Sequence, residues 1–184
     1  MATTNGITSL QPPLASPLFT IDYATSQQDL QDIAELFLEY TSGLGIDLAY
    51  QSFAEELAGL PGKYAAPQGV LLIARSTVPE ISGKPIGCVA LRPLPVPGEE
   101  ATGRRCELKR LYVRSDARGT GLGEALARRA LDETVTRNYK EVVMDTLESM
   151  TPARRLYTKL GFAETTAYYE TPIKETVFYR KMLP

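Results

Sequence analysis

The chain has 184 residues, enough for one well-buried domain and barely enough for two. With 43% hydrophobic and 23% charged residues it has the composition of an ordinary globular protein, and its formal net charge of −2 predicts no general attraction to nucleic acid or to an anionic membrane. The lack of histidine and the presence of only two cysteines exclude Ser-His-Asp and Cys-His catalytic pairs and histidine-ligated zinc, and argue against any metal site. Acid–base chemistry would therefore fall to carboxylate, tyrosine, lysine, thiol, backbone or water.

Residues 1–17 are rich in threonine, serine and proline, and they lack the basic start and apolar core of a signal peptide. We predict a flexible tail there, a single domain over residues 18–184, and a cytoplasmic location. No apolar run approaches the roughly 20 residues of a membrane span, so no membrane association is expected. Cys88 and Cys106 lie in strand-like segments and are predicted to be buried thiols in a reducing compartment.

The spacing of apolar residues predicts a mixed α/β chain with the element order β-α-α-β-β-β-α-β-α-β-β. Strands are predicted at residues 19–23, 69–75, 85–91, 108–113, 141–146, 168–169 and 175–181. Helices are predicted to begin near Ser26, Phe53, Leu122 and Thr151.

The first and last helices carry the clearest end signals. Asp29 would complete a capping box with Ser26, and the buried stripe of this helix would contain Leu30, Ile33, Ala34 and Phe37. Thr151 is expected to be the N-cap of the last helix, with Pro152 at its first position and Gly161 at its end.

A turn rich in glycine separates the strand at 108–113 from the helix after it, and it reads Arg118-Gly119-Thr120-Gly121-Leu122-Gly123. The first backbone N–H groups of a helix have no partner inside it and lie at the positive end of the helix dipole. Glycines remove the side chains that would keep an anion away from these donors, and arginine adds a permanent charge with forked donors. The turn therefore predicts a phosphate site.

Several kinds of turn share this pattern. A P-loop ends in Gly-Lys-Ser/Thr, whereas Glu124 and Ala125 follow the last glycine here. A dinucleotide fingerprint needs a third glycine where Glu124 stands, although the acidic Asp145 does close the next strand. A third kind is the pyrophosphate loop of acyl-CoA enzymes, and a glycine-softened turn that binds nothing is the remaining alternative.

The turn resembles motif A of the GCN5-related N-acetyltransferase (GNAT) superfamily, Q/R-x-x-G-x-G/A, which is met by Arg118, Gly121 and Gly123. The segment LYTKLGF at 156–162 resembles motif B of the same superfamily, and residues 145–162 are similar to bacterial-type members with the run DTLxSMTxARxLYxxLGF. The resemblance implies a GNAT-type fold, a mixed and mostly antiparallel central sheet of about seven strands flanked by about four helices.

The resemblance also implies the activity. Acetyl-CoA would be the co-substrate, without a metal, and the acetyl group would pass directly to a primary amine of a small molecule within a ternary complex. Two alternatives stay open: a protein or peptide acetyltransferase, and a CoA-binding regulatory module without turnover. Homodimers are common among similar proteins.

Residues that hold CoA follow from the matched motifs. The resemblance implies that the pyrophosphate binds at Arg118, Gly119, Thr120, Gly121, Leu122 and Gly123. It implies that the pantetheine arm lies along Leu111, Tyr112 and Val113, and the N–H of Val113 is our candidate to polarise the thioester carbonyl.

Catalytic groups are assigned in the same way. Tyr157 would contact CoA and protonate its thiolate, or else pack its ring between helix and sheet. Glu107 is the first candidate for the general base, through a water, with a surface pair to Lys109 or Arg110 as the alternative.

The acceptor site is the least defined part. Asp145 and Glu148 are alternative bases or acceptor-binding carboxylates. Loops at 44–48 and 168–174 border the acceptor cleft in similar proteins. Tyr168, Tyr169 and Glu170 would receive a cation through ring faces and charge, or form an exposed strand edge instead.

Overall fold

One mixed sheet organises the residues that this computed structural model describes, which are 17–45, 52–95 and 105–184. The strands are β1 Phe19–Tyr23, β2 Val70–Ser76, β3 Pro85–Pro93, β4 Arg105–Val113, β5 Glu141–Leu147, β6 Ala163–Thr165 and β7 Thr176–Met182. The helices are α1 Gln27–Leu44, α2 Phe53–Ala58, α3 Leu122–Thr136 and α4 Thr151–Lys159. The predicted order of elements is confirmed.

The strands are arranged in the order β1-β2-β3-β4-β5-β7-β6. Neighbours are antiparallel except β4 and β5, which are parallel and pair only over Arg105–Glu107 and Glu141–Val143. Both strands continue past this point, β4 to Val113 and β5 to Leu147, without pairing to each other. The sheet is therefore split at its centre.

Helices cover both faces of the sheet. Side chains alternate along its inner strands, so apolar residues on both faces need a layer to pack against. On β2, Leu72 packs in the apolar cluster that contains α3 and α4, whereas Leu71 and Ile73 pack in the cluster with α1. Cys88 and Cys106 are both buried free thiols, as predicted, and burial raises the pKa of each. Among the described residues, no helix is long and apolar enough to cross a bilayer.

The start of α1 follows its prediction. The Ser26 hydroxyl accepts from the Asp29 N–H at 3.1 Å, and the Asp29 carboxylate accepts from the Ser26 N–H at 3.0 Å. Ile33 and Phe37 are fully buried, as predicted. The predicted Leu30 and Ala34 are only half-buried, and Leu36 completes the buried stripe instead.

Two predictions about the C-terminal third are wrong. Met150, not Thr151, is the N-cap of α4, so Thr151 is already helical. Tyr168 and Tyr169 do not form a strand, because their rings pack on Phe178 with centroids 5.2 and 5.1 Å away, and the extra strand is Ala163–Thr165. The helix stop at Gly161 is confirmed by its φ of +83°.

A β-bulge interrupts β4 just past its pairing with β5. The register with β3 shifts between Cys88 and Ala90, so that Arg110 and Leu111 both lie opposite one residue of β3. Arg110 has a φ of +57°, which costs a non-glycine residue energy. Its guanidinium donates to both carboxylate oxygens of Glu56 on α2, at 2.8 and 3.1 Å, and both side chains are 3% exposed. This buried ion pair stabilises the bulge.

The pair predicts a pH-dependent stability. Burial alone would raise the pKa of Glu56, but hydrogen bonds and charge from Arg110 hold it below its usual value. A glutamate whose pKa is lower in the folded than in the unfolded protein stabilises the fold. This stabilisation is complete above the unfolded pKa of about 4.3 and is lost as the pH falls through the folded pKa. We expect Glu56→Gln to lower the free energy of unfolding by about 3–5 kcal/mol at pH 7, and the gap to wild type to narrow in acid.

Urea unfolding at a series of pH values measures this difference. The matched control is Glu164→Gln, which removes an exposed carboxylate 2.9 Å from Arg154 and should change stability little. A Glu56→Gln protein as stable as wild type at pH 7 would contradict the role given to the pair.

Residues 1–16 of the predicted tail and residues 46–48 of the predicted acceptor loop lie outside the described residues.

Candidate functional site

The split between β4 and β5 opens a cleft of about 640 Å³, within the range of small-molecule and cofactor sites. It runs from the glycine-rich turn to the centre of the sheet. Its lining comprises Tyr40, Gly43, Leu44, Leu111, Tyr112, Val113, Ala117, Arg118, Gly119, Gly121, Leu122, Gly123, Leu147, Ser149, Met150, Pro152, Ala153, Leu156 and Tyr157. The cleft thus brings together most of the predicted CoA residues with Tyr157.

The glycine-rich turn presents backbone donors at one end of this cleft. Gly119 and Gly121 have φ values of +79° and +85°, a conformation that favours glycine. The Ala125 N–H donates to the Gly121 carbonyl at 3.0 Å, so helix geometry leaves the N–H groups of Leu122, Gly123 and Glu124 without an intrahelical partner. The turn is therefore built to receive an anion.

Two polar side chains of the turn have different roles. Arg118 is exposed and lines the cleft, and its Nε donates to the Val113 carbonyl at 3.1 Å, which ties the turn to β4. Thr120 donates to the Ala117 carbonyl at 2.7 Å and does not line the cleft, so its side chain closes the turn.

The end of β4 offers an unpaired backbone edge. The Arg114 N–H donates to the Ile86 carbonyl of β3 at 3.0 Å, and successive N–H groups of a strand point in opposite directions. The Val113 N–H therefore points away from β3, towards the side where β5 has diverged. The Leu111 N–H does the same, because the Arg110 carbonyl of the same peptide unit points the other way and accepts from Cys88 Sγ of β3 at 3.4 Å. Leu111 lies deeper than Val113, since it also lines the cavity beside Tyr157 and Asp145.

Tyr157 forms the inner wall of the cleft. It is 5% exposed, and its ring contacts those of Phe162 and Tyr179, both with centroids 6.0 Å away. Within the described chain, no group hydrogen-bonds its hydroxyl. Burial raises the pKa of Tyr157, so the phenol stays protonated at physiological pH.

Glu107 is a buried residue, not part of a surface pair. Its carboxylate accepts from Arg92 Nε at 2.6 Å and from the Tyr168 hydroxyl at 2.8 Å, and Lys109 Nζ lies 3.5 Å away. Arg110, the other suggested partner, is bound to Glu56. Glu107 lines a second cavity rather than the cleft that contains Tyr157.

Lys109 lies between the second cavity and an inner cavity, which is the deep part of the split that contains Leu111, Asp145 and Tyr157. It and Asp145 are each two residues beyond the last β4–β5 pair, and their charged atoms are 3.0 Å apart across the split. The Lys109 side chain is 8% exposed and lines both the inner cavity that contains Tyr157 and the cavity that contains Glu107. Asp145 lines only the former.

The second cavity is lined mostly by charged residues, which come from α2 and the segments on either side of it, from β3 and β4, and from the bend before β7. These residues are Ser52, Glu56, Lys63, Arg92, Glu107, Lys109, Tyr169 and Glu170. Tyr168 contacts Glu107 behind this wall, and burial raises the pKa of its hydroxyl. Glu148 is not brought to either cavity, because it lies in the turn after β5, where its N–H donates to the Glu175 carbonyl at 2.9 Å.

The sequence did not reveal Arg92, Lys109 or Tyr40 as site residues. Arg92 and Lys109 are on strands. Because side chains alternate along a strand, Lys109 had to lie on the same face as Glu107, and this spacing could have identified it. Nothing in the sequence indicated that Tyr40 of α1 reaches the cleft.

Comparison with known proteins identifies this arrangement as that of an acetyltransferase. The sequence model of the Acetyltransferase (GNAT) family matches residues 30–162. An uncharacterized N-acetyltransferase of Schizosaccharomyces pombe is 40% identical over 153 residues, which cover 83% of this chain and 88% of that protein. N-acetylaspartate synthetase of Rattus norvegicus is 33% identical over 129 residues, or 69% of this chain and 40% of that protein.

A crystal structure of an acetyltransferase from Streptococcus agalactiae shares the fold, with a TM-score of 0.70 at 20% sequence identity. The match covers 90% of this chain and 99% of that one. The chain belongs to the GNAT family of acetyltransferases, and the predicted fold class is confirmed.

The residues of the cleft fit acetyl-CoA, the acyl donor typical of the family. Orphan N–H groups and Arg118 suit a pyrophosphate, the free edge of β4 suits the amides of pantetheine, and Leu44, Ala153 and Leu156 supply apolar walls. In the described part of the chain, no cluster of three or more acidic or cysteine side chains could hold a metal ion.

The two motif glycines should respond differently to alanine. Gly121 has a φ of +85°, and an alanine in that conformation would be strained by about 1–2 kcal/mol. If the backbone shifted to relieve the strain, the orphan N–H groups would move with it. At Gly123 an added Cβ would lie 3.7 Å from Val113 Cγ2, an ordinary contact, inside a helix that alanine stabilises by roughly 0.5–1 kcal/mol.

We therefore expect Gly121→Ala to lower both stability and CoA affinity, and Gly123→Ala to keep both close to wild type. Urea unfolding and titration calorimetry with CoA measure the two quantities. Equal losses in the two variants would contradict this explanation of the motif.

Proposed function

We propose that this acetyltransferase transfers the acetyl group of acetyl-CoA directly to a primary amine of a small molecule, with both substrates bound at once. The observation that carries the proposal is the position of Lys109, which lines both the charged cavity and the inner cavity. The inner cavity in turn shares Leu111 and Tyr157 with the cleft that reaches the glycine-rich turn. A direct transfer needs two substrates to approach from different sides of one point, and the split sheet supplies such a point.

CoA would be held by the turn and by β4. Arg118, with the backbone of residues 119–123, would bind the pyrophosphate, and residues 111–113 would bind the pantetheine arm through their free backbone edge. Bound in this way, acetyl-CoA supplies an activated thioester.

The thioester carbonyl needs a donor where negative charge develops. The N–H groups of Val113 and Leu111 have the same orientation, but Leu111 is the one that lines the cavity beside Tyr157. Its position supports Leu111 over Val113 as the polarising donor. Such a backbone donor contributes about 3 kcal/mol to the barrier reduction.

Tyr157 would return a proton to the departing CoA thiolate. Its hydroxyl is protonated and free of other hydrogen bonds among the described residues, and it lies in the cavity that contains Leu111. The resulting phenolate would recover its proton from solvent.

The acceptor amine must lose a proton to a base. Glu107 and Asp145 lie on either side of Lys109, and the two pairs of opposite charge keep both carboxylates in place. Glu107 faces the charged cavity from which the acceptor would enter, which supports it as the base, acting directly or through a water.

A small-molecule acceptor is supported by two observations. The charged cavity is walled by α2, two strands and the bend before β7, which suits a compact ligand. One relative is named for the synthesis of N-acetylaspartate, an acetylated amino acid, so such acceptors occur among similar proteins.

Thiol release from acetyl-CoA in the presence of a panel of amines tests the proposed function. Tyr157→Phe should lower kcat by about 100-fold, the scale of general acid catalysis, while the Kd of CoA stays unchanged. The control is Tyr139→Phe, since Tyr139 is buried outside the cleft with its hydroxyl on the Gln68 carbonyl at 2.9 Å. A Tyr157→Phe enzyme with wild-type kcat would exclude the assigned role.

The base is tested by the pH dependence of Glu107→Gln. Since an amine with a pKa near 10.4 needs a base mainly below that value, the variant should lose about 100-fold in kcat/KM at pH 7 and recover as the pH rises. Asp145→Asn, compared at the same pH values, should lose less. A larger, pH-dependent loss in Asp145→Asn would assign the base to Asp145 instead.

A further inference from the structure

The charged cavity carries information about the acceptor. Three cationic and three acidic side chains line it: Lys63, Arg92 and Lys109, and Glu56, Glu107 and Glu170. An ordinary hydrophobic pocket would not hold this set, and a pocket for a simple amine would need only carboxylates.

Four of these six side chains are already held in ion pairs. Arg92 is paired with Glu107 at 2.6 Å, Lys109 with Asp145 at 3.0 Å, and Glu56 with Arg110 at 2.8 Å. Three positive charges therefore meet three negative ones. An acceptor with a net charge would leave a buried charge uncompensated, which is costly. An acceptor with one charge of each sign would not.

The cations are well placed for the negative end of such a molecule. Lys63 is exposed at the cavity and makes no ion pair within the described residues. Arg92 binds Glu107 through Nε, and the planar guanidinium of arginine carries two further nitrogens in a fork that suits a carboxylate. Asp145 lies in the inner cavity with Tyr157, and Glu107 lies in the charged cavity, with Lys109 between the two carboxylates.

We infer that the acceptor is an amine that also carries a carboxylate, as amino acids do, and that Arg92 and Lys63 bind this carboxylate. The inference rests on the proposed function, since it names the substrate class of the same site. The amine end faces Glu107 and Asp145, and the carboxylate end faces the outer part of the cavity.

Acetyl transfer to matched acceptors tests the inference. Thiol release is measured with L-alanine and L-phenylalanine, which carry one charge of each sign, and with counterparts in which the carboxylate is an amide. The amine is retained in each pair, so a difference reports on the carboxylate. We expect kcat/KM to be roughly 10- to 100-fold higher for the best amino acid than for its amide, the scale of a charged hydrogen bond.

Two variants assign the residues. Lys63→Met should lower kcat/KM for that amino acid about tenfold, through KM, and leave the amide unaffected, and this exposed site should not disturb folding. Arg92→Lys keeps the positive charge beside Glu107 but removes the forked guanidinium. It should also lower kcat/KM for the amino acid and leave the amide unaffected. Arg180→Met, which removes an exposed cation of β7 outside both cavities, should change neither substrate.

Amides that react as fast as the amino acids, or a Lys63→Met variant that affects both alike, would overturn the inference while leaving the proposed function intact. Thiol release with none of these acceptors and with none of the wider panel of amines, in a protein that binds CoA, would contradict the proposed function and the inference with it.

Discussion

The pairing of β4 with β5 stops after three residue pairs, and the site depends on this early end. Past it, the two strands diverge, and the N–H groups of Leu111 and Val113 are left without a neighbouring strand. The bulge at Arg110, held by Glu56 of α2, directs β4 away, and the Lys109–Asp145 pair spans the gap at its narrow end. In a continuous sheet these backbone N–H groups would donate to the neighbouring strand. Here they are available to a ligand.

The same split separates the chemistry into two sides. One side combines an anion-binding turn with a protonated phenol, and is suited to a thioester with a long phosphorylated handle. The other holds an almost balanced set of charges, suited to a small polar acceptor. Lys109 is shared by both, and its burial between two carboxylates fixes the position of each. Positioning of two substrates at one point is itself a large part of the rate enhancement expected of such a site.

Much of this was predictable, and the failures have physical reasons. The turn at 118–123 and the segment 156–162 specify their structure locally, through positive φ angles and helix ends, so their pattern identified both the family and the cleft. The predicted strand at Tyr168-Tyr169 failed because aromatic residues favour strands but here pack their rings on Phe178. The partners of Glu107 could not be read from the sequence, because Arg92 and Tyr168 are brought to it only by the packing of β3 and of the distant bend.

We propose that acetyl-CoA occupies the gap between β4 and β5, and a crystal structure with CoA bound would show whether it does. We expect the pyrophosphate on the backbone N–H groups of residues 119–123, the pantetheine amides hydrogen-bonded to the backbone of residues 111–113, and the sulfur next to Tyr157. CoA bound elsewhere, or a pantetheine arm that makes no backbone hydrogen bond to β4, would contradict this proposal.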